Sequence, residues 1–181
     1  MAKKVLILSA SARKAGNSDL LADQFMNGAL EAGNEVEKIF LAQKKIGYCL
    51  GCNFCKKNGG TCAIKDDMNE VLEKMLEADA IALASPVYYY NVNAQLKTLI
   101  DRTYAKFMDL KNKEFYFILS CADESNESVD QAVEALRGFT ICLPGSVEKG
   151  IVYGVNAPDH GDIVGTKTMD EAYQMGKEIR S

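Results

Sequence analysis

Short unbroken apolar runs alternate along this chain with stretches of helical period. Val5-Leu6-Ile7-Leu8 is apolar throughout, as expected of a strand covered on both faces. Over 17–32, Leu21, Phe25 and Ala29 fall on one stripe, and Gly33-Asn34 supplies a stop. Residues 35–40 alternate and read as a weaker strand near an edge. Met68, Val71, Leu72, Met75 and Leu76 repeat at helical spacing behind Asp66-Asp67, acids that favour a helix start. Residues 80–84 form a second buried strand, expected to halt at Ser85-Pro86. Leu96, Leu99, Ile100, Thr103 and Phe107 stripe the next helix, and 115–119 the next strand. Val129, Ala132, Val133 and Leu136 mark a helix ending before Pro144. Residues 147–155 give a last strand, and Met169, Ala172, Tyr173 and Gly176 a last helix.

Five strands alternating with five helices predict an α/β fold, a parallel sheet with helices on both faces. The expected strand order is 2-1-3-4-5, in one domain spanning 1–181. Ligands of such sheets bind beyond the carboxyl ends of the strands, at the switch point between strands 1 and 3. Segments 9–18, 85–91 and 120–125 should therefore line a site. One connection does not fit the pattern. The stretch at about 41–65 far exceeds the usual ~2–6 residues and reads as an inserted loop with a function of its own.

Composition narrows the function. The 21 basic and 25 acidic residues leave a net charge of −4, against a nucleic-acid partner. No run approaches a membrane span, and the N-terminus lacks a signal-peptide pattern, so a cytoplasmic protein is expected. The single histidine, His160, excludes three-His metal sites within one chain, and no G-x-S-x-G elbow accompanies it. His160 reads as a surface-loop residue.

The loop after strand 1 runs Ser9-Ala10-Ser11-Ala12-Arg13-Lys14-Ala15-Gly16-Asn17-Ser18 and opens a helix. Hydroxyls from Ser9, Ser11 and Ser18, the Asn17 amide and the Arg13 guanidinium suit a terminal monophosphate at a helix N-terminus. The loop is neither G-x-G-x-x-G nor a nucleoside-triphosphate P-loop. A solvated, capped turn is the plainer alternative. After strand 3, Ser85-Pro86-Val87-Tyr88-Tyr89-Tyr90-Asn91 offers rings and backbone amides to a flat heterocycle, or cover for core and subunit contacts.

The long loop carries Cys49, Cys52, Cys55 and Cys62 in the spacing C-x₂-C-x₂-C-x₆-C. Disulfide staples are not expected in a reducing compartment. Three readings stand open: an iron–sulfur cluster, a redox-active thiol pair, or structural zinc. Cys121 and Cys142 read as small core hydrophobes, with Cys121 near enough to strand 4's end to touch a ligand.

These motifs together resemble the flavodoxin-like NADPH-dependent FMN reductases, most closely their iron–sulfur flavoprotein branch. The phosphate loop resembles that family's G-S-P-R-x-x-G-N-T, with Ala10 and Ala12 departing from it. Ser85-Pro86-Val87-Tyr88 resembles its S-P-V-Y flavin loop, and 95–102 its Q-L-K-x-x-x-D-R helix. The resemblance covers nearly the whole chain and implies a flavodoxin-like three-layer fold. It implies flavin mononucleotide (FMN), with phosphate at Ser11, Arg13, Asn17 and Ser18. It also implies the isoalloxazine ring against Pro86, Val87, Tyr88, Tyr89 and Asn91, with a third contact at Ser120 and Cys121. NAD(P)H is the implied electron donor. The acceptor is a quinone, another small molecule or a protein. The cysteine loop resembles that of the branch holding a [4Fe–4S] cluster, and a homodimer or homotetramer is implied. No protein acid or base is required. The competing readings are a flavodoxin-type electron carrier and a zinc or thiol redox-sensing module.

Overall fold

The structure is a computed structural model and describes residues 1–180. Five long strands, β1 (Lys4–Ser9), β2 (Glu35–Phe40), β3 (Ala80–Tyr88), β5 (Glu114–Ser120) and β6 (Val147–Gly154), form a parallel sheet ordered β2-β1-β3-β5-β6. Counted without the two-residue β4 (Asn91–Val92), this is the expected 2-1-3-4-5 order.

The strands are apolar without a break because both faces are covered, and successive residues serve different layers. Val5 and Ile7 of β1 join Leu21, Phe25 and Ala172 under α1 (Asn17–Glu31) and α6 (Lys167–Lys177). Leu6 and Leu8 join Val71, Met75, Leu96, Leu99, Val133 and Leu136 under α3 (Met68–Glu77), α4 (Ala94–Arg102) and α5 (Glu127–Thr140). Helices α1 and α6 touch backbone to backbone. A Cβ on Gly28 would lie 2.0 Å from the Tyr173 carbonyl, and one on Gly176 2.0 Å from that of Phe25. Only glycine permits this approach.

Two boundaries differ from expectation. Strand β3 does not stop at Ser85-Pro86 but runs to Tyr88, with Pro86 in register with Ser120. The Ala84 carbonyl faces β1, accepting from the Ala10 N–H. Pro86, two residues on, faces the same way, where β1 has ended at Ser9, so its missing N–H breaks no ladder. The helix expected through Phe107 ends at Arg102 and tightens into a 3₁₀ turn over Thr103–Ala105. The long loop holds a 3₁₀ turn, Leu41–Gln43, and one short helix, α2 (Phe54–Lys57).

Candidate functional site

Three chain segments meet at the carboxyl ends of β1, β3 and β5, as the strand order requires, and a fourth joins them. Their cleft, about 220 Å³, is lined by Ser11, Arg13, Asn17, Ser18, Pro86, Val87, Tyr88, Ser120, Cys121, Ala122, Ala157 and Pro158. A larger chamber of about 560 Å³ lies under Cys49, between Tyr104, Phe107, Phe139 and Leu143. Its walls are mostly apolar and converge no set of donors.

The loop after β1 is built to leave donors free. Ser11 is buried and closes the loop on itself: its Oγ donates to the Arg13 carbonyl (2.7 Å) and accepts from the Arg13 N–H (3.2 Å). A Cβ on Gly16 would stand 2.6 Å from that Oγ, so the turn needs glycine there. Gly16 precedes α1 without any side-chain cap, and the first-turn N–H groups have no intrahelical partners. Within this turn the Ser18 hydroxyl is buried and has no hydrogen-bond partner. Arg13 is exposed at the rim.

Two residues expected to bind ligand here do other work. Ser9 is fully buried and donates to Asp19 Oδ1 at 2.6 Å, so its hydroxyl does not reach the cleft. The Asn17 amide lines the cleft but is spent on the loop after β6. Its Nδ2 donates to the Ala157 and Asp159 carbonyls (3.0 and 2.8 Å), and its Oδ1 accepts from the Gly161 and Ile163 N–H groups (3.0 and 3.5 Å). This latch holds Ala157 and Pro158 in place as the fourth wall. His160, in the same loop, is exposed and contacts the Lys14 carbonyl through Nε2 at 3.3 Å.

Pro86, Val87 and Tyr88 form the wall from β3. Tyr89 and Asn91, expected beside them, lie outside the cleft. Tyr89 and Tyr90 are the two central residues of the β3–β4 hairpin, with φ of +51° and +60°, the geometry of a primed turn. Tyr89 is wholly exposed, and Asn91 turns its Oδ1 to the Val92 N–H. Asn93, which sequence reading passed over, fixes this wall. Buried, it caps α4 by accepting from the Leu96 N–H, donates its own backbone N–H to Ser85 Oγ, and donates Nδ2 to the Ala10 carbonyl. One amide thus ties the β1 loop, the end of β3 and the start of α4. Ser120 and Cys121, at the end of β5, close the third side, and both are buried. Burial pushes the Cys121 thiol up, so it is neutral near pH 7.

The cysteine loop is fixed at its feet. Arg102, buried on α4, makes a bidentate pair with Asp66 (2.7 and 2.9 Å) and donates to the Gly47 carbonyl (2.6 Å), while Gly47 donates its N–H to Asp66. Burial alone would raise the Asp66 carboxyl; the Arg102 guanidinium and the Gly47 and Met68 N–H groups outweigh it and hold the carboxyl below the usual range. Between these feet, Cys49 and Cys52 are exposed and Cys55 and Cys62 half-buried, all as free thiols. Among the described residues, no three His, Cys, Asp or Glu side chains stand close enough to share a metal ion. The structure therefore does not gather Cys49, Cys52, Cys55 and Cys62 at one point. Gly51, Asn53, Gly59 and Gly60 all take positive φ, so the loop turns repeatedly along its length. Cys142 is exposed at the end of α5 rather than in the core.

An iron–sulfur flavoprotein of Methanocaldococcus jannaschii is 50% identical over 100 residues, 55% of this chain and 51% of that protein. The match thus spans about half of that relative's own length. An iron–sulfur flavoprotein of Archaeoglobus fulgidus is 46% identical over 97% of this chain and 78% of its own. Among solved structures, an NAD(P)H:quinone oxidoreductase from Methanothermobacter marburgensis superposes with a TM-score of 0.73, at 18% identity, over 100% of this chain and 98% of that one; at that identity it speaks for the fold. The family model described as NADPH-dependent FMN reductase matches residues 3–151, from the entry into β1 to the middle of β6 and through every wall of the cleft but the last. The chain belongs to the NADPH-dependent FMN reductase family.

Proposed function

We propose that the protein is an FMN-dependent oxidoreductase that passes electrons from NAD(P)H to a quinone, another small molecule or a protein acceptor. The observation that carries this is the uncapped first turn of α1, with the buried, unpartnered Ser18 hydroxyl, opening into the switch-point cleft. A phosphate would satisfy that hydroxyl and the free N–H groups together, with Arg13 closing from the rim. The residues present fit the phosphate end of FMN in kind and number.

The other walls suit the ring end. Pro86, Val87 and Tyr88 offer a flat apolar surface with backbone polar groups, and Ser120 and Cys121 face it. FMN bound there supplies hydride acceptance and onward electron transfer. The chain's part is to orient the ring and keep charged groups away from it. Cys121, held as a neutral thiol, adds no charge to that wall. Asn93 and Asn17 keep the walls at fixed separation, since each spans segments far apart in sequence.

The cysteine loop supports a further element of this reading. Two relatives bear the name iron–sulfur flavoprotein, and four thiols in C-x₂-C-x₂-C-x₆-C spacing are the donor type of a [4Fe–4S] cluster. The donor chemistry fits; the placement of the thiols does not yet gather them, so no step is routed through a cluster. Loading would require 49–62 to close between its fixed feet.

The test is anaerobic purification with assay of flavin, iron, zinc and sulfide, followed by mixing with NADPH or NADH. One FMN per chain, bleached by a nicotinamide and restored by a quinone, is the expected result. A flavin that neither nicotinamide bleaches would make the protein an electron carrier. Failure to take up FMN would end the reading. Iron and sulfide near four per chain would assign the cysteine loop; zinc or neither would assign it to the other chemistries.

A further inference from the structure

The first turn of α1 contains a feature at odds with anion binding. Asp19 lies in the same turn as the free donors, is almost wholly buried, and carries a negative charge. Its carboxylate is fully engaged. Oδ1 accepts from the Ser9 hydroxyl (2.6 Å) and from Lys38 Nζ of β2 (2.9 Å), and Oδ2 accepts from the Ala15 N–H (3.0 Å). Ala15 stands at φ +55°, a left-handed conformation that a non-glycine residue holds only with support. Asp19 thus joins the end of β1, the strained point of the loop and the neighbouring strand. The carboxylate has a structural reason to be where it is, and an electrostatic reason not to be.

Lys38 resolves the conflict. Its side chain is 18% exposed and that of Asp19 6%, so the pair is poorly screened by water. Lys38 also contacts Asp23, one turn further along α1, whose side chain is 38% exposed and better screened. Neither Asp19 nor Lys38 lines the cleft.

We propose that Asp19 and Lys38 are positioning residues for the phosphate: Asp19 shapes the loop, and Lys38 cancels the carboxylate charge that would otherwise repel a dianion at the mouth of α1. This rests on the FMN reading of the cleft. Removing Lys38 leaves a buried negative charge within a turn of the phosphate. Removing both charges relieves the repulsion.

The experiment titrates wild type, Lys38→Met and the double variant Asp19→Asn/Lys38→Met with FMN and with riboflavin, which lacks the phosphate. Lys38→Met should bind FMN about tenfold more weakly while binding riboflavin as wild type does. The FMN deficit should shrink as salt is raised. The double variant should recover most of the FMN affinity. Equal loss of both ligands in Lys38→Met would mean a general packing defect and overturn the proposal. An unchanged FMN affinity in Lys38→Met, with wild type binding FMN, would overturn it while leaving the FMN reading intact. Wild type that binds no FMN would overturn both.

Discussion

Two loops leave this sheet, and they are held in opposite ways. The loop after β1 is tied throughout its length. Ser11, Ala15, Gly16 and Asn17 each have a named partner, and the carboxylate of Asp19 gathers three of the ties. The donors left over are few and point into one cleft. The cysteine loop is anchored at its feet, where Lys45 pairs with Asp67 and Arg102 holds Gly47 and Asp66, and its four thiols are not gathered at one point. On the proposed reading the first is a preorganised site, whose binding groups wait in place. The second carries four thiols on a tethered segment, which the proposed cluster would have to draw together. The two also stand at opposite ends of α4. Asn93 caps the end at the cleft, and Arg102 lies one helix length, about 13 Å, away.

The largest effect on this contrast should come from Arg102. Arg102→Met leaves Asp66 without its bidentate partner and frees the Gly47 carbonyl. Breaking a buried pair from one side costs on the order of 3 kcal/mol. Chemical denaturation should show that loss, and Cys55 and Cys62 should label faster with a thiol reagent. FMN affinity should stay within about threefold, well under the ~3 kcal/mol cost, because the cleft end of α4 is capped by Asn93. A collapse of FMN binding to match would show the two loops are one unit.

A smaller and more pointed change is Ser18→Ala. The hydroxyl is buried without a partner, so its removal should leave the ligand-free protein as stable or slightly more so. FMN should bind at least ~10-fold more weakly, the size of one hydrogen bond to a charged group. Opposite signs for stability and affinity are expected. A parallel loss of both would mean that Ser18 serves the fold.

Much of the fold was legible because its signals are local. Unbroken apolar runs such as Val5 to Leu8 and helical stripes such as Met68 to Leu76 carry their own periodicity, and the alternation fixes the layers. The walls at Pro86 to Tyr88 and at Ser120 and Cys121 followed from where those strands end. What escaped depends on partners distant in sequence. Asn93 meets Ala10 across 83 positions, and Asn17 meets Ala157 across 140. Nothing near Asn17 signals that its amide is a latch, and nothing near Ser9 signals that its hydroxyl turns to Asp19. Tyr89 and Asn91 were expected at the cleft from their place after strand 3 and from the family resemblance. The hairpin that turns them away depends on backbone twist at two tyrosines, a turn more often made by Asn-Gly.

The central claim is that the cleft takes FMN by its phosphate. The most direct test is flavin fluorescence on titration of the wild-type protein, with FMN and riboflavin run side by side. The account predicts saturable quenching of FMN at one site per chain and binding of riboflavin at least ~100-fold weaker, as loss of several charge-assisted hydrogen bonds requires. Equal affinities would contradict a phosphate site at α1, and no quenching by either would contradict a flavin site altogether.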